Sequence, residues 1–238
     1  MRVVGLGGDE PVEDAADIVV AIDGPAGSGK STVARRVAEL AELRYLDTGA
    51  TYRALTLALL RRGIPIEDPE AVADAAKAVD LTLELAPGPA GVARVLLDGV
   101  EPGPALRSPE VNATVSAVAA IPAVRELLVG LQRSLVGVGG IVVEGRDIGT
   151  IVWPDAEVKV FLTATKHERA RRRSGDAEGG GETAETLDRR DALDSGRAAS
   201  PTKAAADALV IDSTTRTIDQ VVDQVLGLIE VARASRLR

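Results

Sequence analysis

Residues 24–31 combine glycines, a lysine and a serine at a spacing that suits phosphate binding. Gly24, Gly29, Lys30 and Ser31 match the pattern G-x-x-x-x-G-K-[ST]. In such a loop the backbone N–H groups converge on phosphate oxygens, the lysine reaches the β and γ phosphates, and the hydroxyl can ligate Mg²⁺. We therefore predict that ATP, with Mg²⁺, is held by Gly24, Pro25, Ala26, Gly27, Ser28, Gly29, Lys30, Ser31 and Thr32.

The residues around this loop give the pattern its meaning. A short apolar run at residues 18–22 precedes the glycines and predicts a buried parallel strand. Val33, Val37 and Leu40 follow at helical spacing, so a helix is predicted to start near Lys30. A tight strand-to-helix turn without a ligand is the alternative interpretation, and it leaves the lysine unexplained.

A second polar group follows a predicted strand at residues 44–46. Tyr52 and Arg53 come one helical turn after Thr48, so a hydroxyl and a guanidinium open on one side and can hold a second phosphate. The alternative is an ordinary helix N-cap by Asp47 or Thr48 with a solvated Arg53. Taken alone, this segment is as compatible with the helix N-cap as with a phosphate site.

A third polar group, Glu144, Arg146 and Asp147, follows the apolar residues 141–143. Ligands bind at the carboxyl ends of strands in open α/β sheets. There Glu144 can act on Mg²⁺ through water, Arg146 can bind a phosphate, and Asp147 can accept hydrogen bonds from a base or sugar. A salt-bridged loop is the alternative interpretation.

The last third of the chain is rich in arginine. Beyond a glycine-rich segment at residues 174–186, which predicts a mobile flap, Arg190, Asp194 and Arg197 share one helix face. Together with the basic run at residues 166–173, they predict an arginine-rich lid that neutralises a transferred phosphoryl group and excludes water.

A charged run is also compatible with a solvated face. That alternative stays open for Arg171 and Arg189, and the single histidine, His167, is expected at the surface.

The elements that must position these groups can be predicted from apolar runs. Runs at residues 141–143, 158–162 and 208–211 add three strands to the two already described, with helical patterns between them. The fold class is therefore predicted as α/β, a P-loop three-layer fold with a central parallel sheet of about five strands.

Two further segments complete the prediction. Thr217 and Gln220 form a capping box that opens a final amphipathic helix. Alternating apolar residues at 81–85, a second run at 92–97 and the turn dipeptide Asp98-Gly99 predict a small antiparallel insert.

Composition narrows the class of protein. The chain has 238 residues, no cysteine and a net charge of −8, so a disulfide framework and a general polyanion binder are disfavoured. No apolar run approaches the roughly 20 residues of a membrane span. We expect a cytoplasmic protein, a monomer, whose partners are small-molecule nucleotides, with no nucleic acid and no membrane.

The segments taken together resemble bacterial cytidylate kinases from residue 18 to about residue 230. The resemblance lies in LDTGATYR, VEGRDIGT, PDAEVKVFL, RRDALDSGR and DALVIDST, added to the P-loop. It implies phosphoryl transfer from ATP to CMP or dCMP with Mg²⁺. Ser31 and, through water, Glu144 are the residues expected above to hold the metal.

The resemblance also implies which residues bind the nucleotides and which are catalytic. Those expected around CMP are Thr48, Tyr52, Arg53, Ser116, Arg125, Arg146, Asp147, Arg190, Asp194 and Arg197. Those expected to face ATP from the lid are Arg169, Arg172 and Arg173, and those expected to be catalytic are Lys30, Arg146, Asp147 and Arg190.

The expected organisation is a disordered acidic tail at residues 1–16 and a nucleoside monophosphate kinase domain at 17–238. Within the domain, the core comprises 17–78, 112–165 and 199–238, the monophosphate-binding insert covers about 79–111, and the lid covers about 166–198.

Two alternatives to a cytidylate kinase stay open. A P-loop kinase for another nucleoside monophosphate or a metabolite hydroxyl would share the loop. Binding of nucleic acid through the arginines would need a strongly salt-dependent affinity. A guanine nucleotide switch is disfavoured because the sequence lacks an N-K-x-D segment.

Overall fold

The computed structural model of the chain describes residues 1–4, 18–86, 91–175, 189, 191–194, 196 and 202–236. Its strands are β1 (Arg2–Val4), β2 (Val19–Asp23), β3 (Arg44–Asp47), β4 (Leu81–Leu85), β5 (Ala93–Leu97), β6 (Ile141–Gly145), β7 (Val158–Thr163) and β8 (Leu209–Asp212). Its α-helices are α1 (Lys30–Leu40), α2 (Thr48–Arg61), α3 (Pro69–Lys77), α4 (Pro109–Val118), α5 (Pro122–Val136), α6 (Lys166–Gly175) and α7 (Ile218–Arg236).

The larger sheet has five strands in the order β3-β6-β2-β7-β8, and every neighbouring pair is parallel. This confirms the predicted central parallel sheet. The central strand β2 is buried along its whole length, as its unbroken run of apolar residues predicts. The predicted helix start at Lys30 and the capping box of Thr217 and Gln220 are also confirmed.

Helices cover both faces of this sheet, because successive side chains of a strand point to opposite faces. Val20 and Ile22 of β2 belong to a core cluster that contains α1 and α7 residues such as Val33 and Val225. Val19 and Ala21 belong to the opposite cluster, which contains residues of α2, α4 and α5. The α/β three-layer architecture follows from this alternation.

The smaller sheet contains the predicted antiparallel insert. β4 pairs antiparallel with β5, from Leu81 opposite Leu97 to Leu85 opposite Ala93. Asp98 and Gly99 form the tight turn after β5, and both have positive φ angles, 51° and 78°.

The expectation of a disordered tail at residues 1–16 is wrong for Arg2–Val4. This strand pairs in parallel with β4, and Arg2 Nε donates to Thr82 Oγ1 at 3.3 Å. The free edge of β4 offers backbone hydrogen-bonding groups, and Val3 packs against the apolar core. Residues 5–16, like the glycine-rich residues 176–186 of the predicted flap, lie outside the described part of the chain.

Among the described residues, no single helix combines the length and apolarity of a membrane span. The helices α4 and α5 reach both only when they are counted together, across a bend of 100°.

The carboxyl ends of four neighbouring strands carry the polar residues of interest. Asp23 ends β2, Asp47 ends β3, Glu144 lies at the end of β6, and Thr163 ends β7. The sheet therefore brings together side chains that lie up to 140 residues apart in the sequence, at the edge where open α/β sheets bind ligands.

Replacement of a core leucine should show how far the fold depends on this packing. Leu59 of α2 is fully buried, so Leu59→Ala is expected to lower the free energy of unfolding by about 2–5 kcal/mol in urea titrations. Leu40→Ala is the matched control, since Leu40 is 49% exposed, and a change within about 0.5 kcal/mol is expected. Equal losses in the two variants would contradict the assignment of Leu59 to the core.

Candidate functional site

The P-loop, residues 24–31, turns sharply between β2 and α1. Its three described glycines with positive φ are Gly24, Gly27 and Gly29. A Cβ atom on Gly24 would lie 2.0 Å from the carbonyl oxygen of Leu162, a distance that no side chain can accept. The glycine is therefore required by the close approach of β7 as well as by the turn.

Lys30 is buried at the first position of α1, and its Nζ donates to the carbonyl of Pro25 at 2.7 Å. Burial is the main cause that lowers the pKa of Lys30 below its usual range, and the charge of Arg146 lowers it further. Glu144 and Asp23 act in the opposite direction. An anion bound at the loop would favour the charged ammonium.

Glu144 links the P-loop to the neighbouring strand. Ser31 Oγ donates to one of its carboxylate oxygens at 2.9 Å, and the hydroxyl of Tyr45 donates to the other. Burial, followed by the charge of Asp47, raises the pKa of Glu144. The pair formed by Ser31 and Glu144 therefore places a hydroxyl and a carboxylate beside the phosphate-binding loop.

Arg146 and Asp147 follow β6 and face two different sets of partners. Arg146 Nε donates to Asp194 at 2.9 Å, and its guanidinium also donates to the carbonyl of Gly24 at 3.1 Å. Asp147 forms a buried ion pair with Arg125 of α5. The alternative of a salt-bridged loop is thus correct about the pairing, but all four charged side chains also line the cavity described below.

Ser116 lies beside the pair of Arg146 and Asp194, and Tyr52 lies beside the pair of Arg125 and Asp147. Ser116 Oγ lies 3.2 Å from Asp194, and the guanidinium of Arg125 lies 5.8 Å from the centre of the Tyr52 ring. Residues from α2, α4 and α5 therefore meet the end of β6 at the same place.

The start of α2 was interpreted either as a phosphate site or as a helix N-cap with a solvated Arg53, and the structure agrees with part of each. Asp47 caps α2 by accepting from Ala50 N at 3.2 Å, as the alternative reading held. Arg53, however, is buried rather than solvated, and its guanidinium donates to Asn112. Thr48 Oγ1 donates to the backbone carbonyl of Glu144 at 2.7 Å, which joins the start of α2 to the end of β6.

The arginines of α6 differ in their environments. Arg169 is buried against the P-loop backbone, where it donates to the carbonyl of Ala26 at 3.0 Å, and it pairs with Asp191. Arg172 donates to Ser213 O at 2.7 Å and to Glu168 at 2.9 Å, and it lines the cavity together with Arg173.

The alternative of a solvated position fits two arginines and the histidine. The side chain of Arg171 is 66% exposed, and Arg189 and His167 are exposed as well. Arg190 and Arg197, two of the predicted CMP-binding residues, lie outside the described residues.

One cavity of about 1330 Å³ brings most of the predicted residues together. The predicted residues that line it are Ala26, Gly27, Ser28, Gly29, Lys30, Ser31, Thr32, Thr48, Tyr52, Arg53, Ser116, Arg125, Glu144, Arg146, Asp147, Arg172, Arg173 and Asp194. Gly24, Pro25 and Arg169 do not line it, but the carbonyl of Pro25 accepts from Lys30, and Arg169 donates to the carbonyl of Ala26.

Sequence reasoning missed three features of the site. Asp23 is buried and accepts hydrogen bonds from the backbone of Ile148 and Gly149. Tyr45 orients Glu144, and residues 213–219 line the cavity beside the P-loop. The only sequence signal for Asp23 was a carboxylate at the end of an apolar strand, immediately before the first glycine of the loop.

Comparisons with known proteins agree with this geometry. The profile of the cytidylate kinase family matches residues 20–231. A cytidylate kinase of Limosilactobacillus fermentum is 51% identical over 220 residues, which cover 90% of this chain and 96% of the relative. One of Mycobacterium avium is 49% identical over 230 residues, which cover 92% of this chain and all of the relative.

Solved structures are less similar. A sugar kinase from Janibacter sp. superposes with a TM-score of 0.45 at 17% identity, covering 92% of this chain and 97% of that one. The family match spans the P-loop, both sets of residues at the end of β6 and the arginines of α6. The chain therefore belongs to the cytidylate kinase family and is an ATP-dependent CMP kinase.

Proposed function

We propose that the cavity holds both nucleotides at once, with the ATP phosphates on the P-loop and CMP or dCMP beside Arg125 and Asp147. The γ-phosphoryl group then passes directly from donor to acceptor. One observation carries this proposal: a single cavity of about 1330 Å³ is lined by both groups of residues. That volume exceeds the roughly 300–1,000 Å³ of a pocket for one small ligand.

On the donor side, the glycine N–H groups and the N-terminus of α1 would bind phosphate oxygens. Lys30 would transfer its hydrogen bond from the Pro25 carbonyl to the β and γ phosphates. Arg172 and Arg173 would face ATP from the lid. Arg169 would act indirectly, since its contacts with the Ala26 carbonyl and Asp191 support the loop from behind.

Mg²⁺ fits the residues that are present. The hydroxyl of Ser31 and the carboxylate of Glu144 lie 2.9 Å apart beside the P-loop. Among the described residues, no group of three or more His, Asp or Glu side chains is arranged to hold a metal. This suits Mg²⁺, which is usually held by one or two protein groups together with waters and substrate phosphates. Ser31 would bind it directly and Glu144 through water.

When bound, Mg²⁺ would neutralise charge on the β and γ phosphate oxygens. The residues of the chain would supply the rest of the electrostatic stabilisation. Phosphate oxygens of the acceptor are already nucleophilic near neutral pH, so positioning by Lys30 and Arg146 replaces a general base. Arg190 would add a further positive charge near the transferred group.

On the acceptor side, we assign cytosine recognition to Asp147. The exocyclic amino group of cytosine is a hydrogen-bond donor, whereas uracil presents an acceptor at the same position. A carboxylate accepts hydrogen bonds only, so it favours cytosine. Arg125 holds Asp147 in place. Thr48, Tyr52, Arg53, Ser116, Asp194 and Arg197 would complete the CMP site.

We also propose the wider organisation expected from the sequence, with a kinase core, an acceptor-binding insert at about 79–111 and a lid at about 166–198. The chain would act as a cytoplasmic monomer on free nucleotides, without nucleic acid or membrane. Its net charge of −8 supports the preference for small anions at a local basic site over long polyanions.

The first test concerns Lys30. Lys30→Ala removes the buried charge that would stabilise the transferred phosphoryl group, so kcat is expected to fall by about 100- to 1,000-fold. The KM for CMP should stay within about twofold of the parent value, as measured in coupled assays of ADP formation. Lys77→Ala, on the exposed side of α3, is the control. A CMP KM raised in proportion to the loss of kcat would argue against the division of the two sites.

The second test concerns base recognition. Asp147→Asn supplies an N–H donor that the oxygen of uracil can accept, so the ratio of kcat/KM for CMP to that for UMP is expected to fall about tenfold or more. Both substrates are measured on the same variant, so the broken ion pair with Arg125 cancels in the ratio. Asp74→Asn, on an exposed helix face, should leave the ratio unchanged. An unaltered ratio in Asp147→Asn would refute the assignment.

The third test concerns Mg²⁺. Glu144→Gln keeps the size of the side chain but removes its charge, so the free Mg²⁺ concentration for half-maximal activity is expected to rise about tenfold at saturating ATP and CMP. Removal of Mg²⁺ with EDTA should abolish turnover in every variant. Glu70→Gln, at the exposed start of α3, is the control. Full activity in EDTA would rule out the proposed metal.

A further inference from the structure

We infer that Asp23 is a positioning residue for the acceptor side of the site. It is the last residue of β2 and directly precedes the P-loop, yet its side chain points to the segment that carries Arg146 and Asp147. One carboxylate oxygen accepts from Ile148 N at 2.7 Å, and the other accepts from Gly149 N at 2.8 Å. The inference rests on the assignment of Asp147 to CMP.

The two N–H groups need this partner because of where they lie. Ile148 and Gly149 begin a π-helical turn, Ile148–Val152, and the first N–H groups of a helix have no acceptor within it. Both residues are buried. A buried donor without a partner is costly, so the bidentate contact with Asp23 determines where the backbone after Asp147 lies.

Loss of the Asp23 contact should affect CMP binding more than ATP binding, because the P-loop is also held by other contacts. The P-loop backbone has further anchors: Lys30 donates to Pro25 O, Arg169 to Ala26 O, and Arg172 to Ser28 O at 3.3 Å. These contacts do not involve Asp23. Loss of the carboxylate should therefore displace the Arg146–Asp147 backbone more than the ATP loop.

The charges around Asp23 come from several elements. Asp147 repels the carboxylate, and Lys30 of α1 attracts it. The side-chain stem of Lys159, on β7, lies against Gly149, while its Nζ pairs with Asp207. The guanidinium of Arg146 contacts the carbonyl of the next residue, Gly24.

Burial raises the pKa of Asp23 to about 6, although the two N–H contacts and Lys30 oppose the shift. Above pH 6 the ionised carboxylate accepts both hydrogen bonds. Below pH 6 the neutral acid is a weaker acceptor, and the contact loosens. CMP affinity should therefore decline as the pH falls through about 6.

The effect of the same titration on folding has the opposite sign. A carboxyl whose pKa is higher in the folded than in the unfolded chain binds its proton more tightly when folded, so its protonation favours folding. The contribution of Asp23 to stability therefore increases as the pH falls from 7 towards 4. A loss of CMP affinity in this range does not come from weaker folding at Asp23, which separates a positioning role from a merely structural one.

Asp23→Asn, the neutral isostere, provides the test. We expect it to raise the KM for CMP about tenfold at pH 8 and the KM for ATP no more than about twofold. Across pH 5.5–8.5, the ratio of the CMP KM of the variant to that of the parent should fall towards 1 as Asp23 of the parent becomes protonated. The phosphate of CMP itself titrates near pH 6, but this affects both enzymes and cancels in the ratio. Asp74→Asn should give a ratio of 1 throughout.

A pH-independent ratio, or equal increases in the two KM values, would overturn the inference. A measurement on the parent enzyme covers the case in which Asp23→Asn does not fold. Hydrogen-exchange protection factors of the Ile148 and Gly149 amides, corrected for intrinsic rates, should fall between pH 8 and pH 5.5, whereas those of β7 should not.

Unchanged protection at these two amides would overturn the inference about Asp23 but not the assignment of Asp147 to CMP. Loss of protection with an unchanged KM for CMP would also overturn the inference, because the contact with Asp23 would then have no effect on the CMP site. The CMP-to-UMP ratio of Asp147→Asn is measured separately, so failure of that assignment can be recognised independently.

Discussion

The buried charges at the carboxyl edge of the parallel sheet are the constraint that the rest of the site depends on. Lys30 is buried at the start of α1 and interacts with Glu144 at the end of β6 and with Asp23 at the end of β2. Buried charges are tolerated only when partners of opposite charge or hydrogen-bonding groups surround them. The strand ends provide these partners, and a rigid five-stranded sheet keeps them at fixed positions.

This constraint explains why so many contacts at the site connect distant segments. Thr48 donates to the carbonyl of Glu144, Ser31 donates to its carboxylate, and Tyr45 donates to the same group. The end of β6 is thereby tied to α1, α2 and β3 at once. Bound phosphates would add negative charge beside the lysine and arginines that line the cavity, and positive groups held in place in advance stabilise a phosphoryl group.

The arginines of α6 show how the tertiary structure gives similar residues different roles. Arg169 supports the P-loop from behind, Arg172 connects α6 to Ser213, and Arg171 is largely in solvent. All three lie within four residues, but their positions on the helix bury Arg169 in the protein and leave Arg171 at the surface. The basic run therefore contains a buried support for the P-loop as well as side chains that line the cavity.

The sequence by itself determined the features that depend on local pattern. The P-loop could be predicted from Gly24, Gly29, Lys30 and Ser31, and four of the five parallel strands from their apolar runs, because both signals lie within a few adjacent residues. The place of Asp147 after a strand and the helical spacing of Asp194 singled out these residues, and the family resemblance implied that both face CMP. The structure brings them to one cavity.

Only the tertiary structure decided the pairings between distant residues. Arg2–Val4 form a strand because residues 82–84 offer a free edge, which no three-residue pattern can reveal. Asp23 meets Ile148 and Gly149 across about 125 positions of sequence. Periodicity and local spacing carry no information on such contacts, since these depend on which strands become neighbours in the sheet and on which carboxylates are buried there.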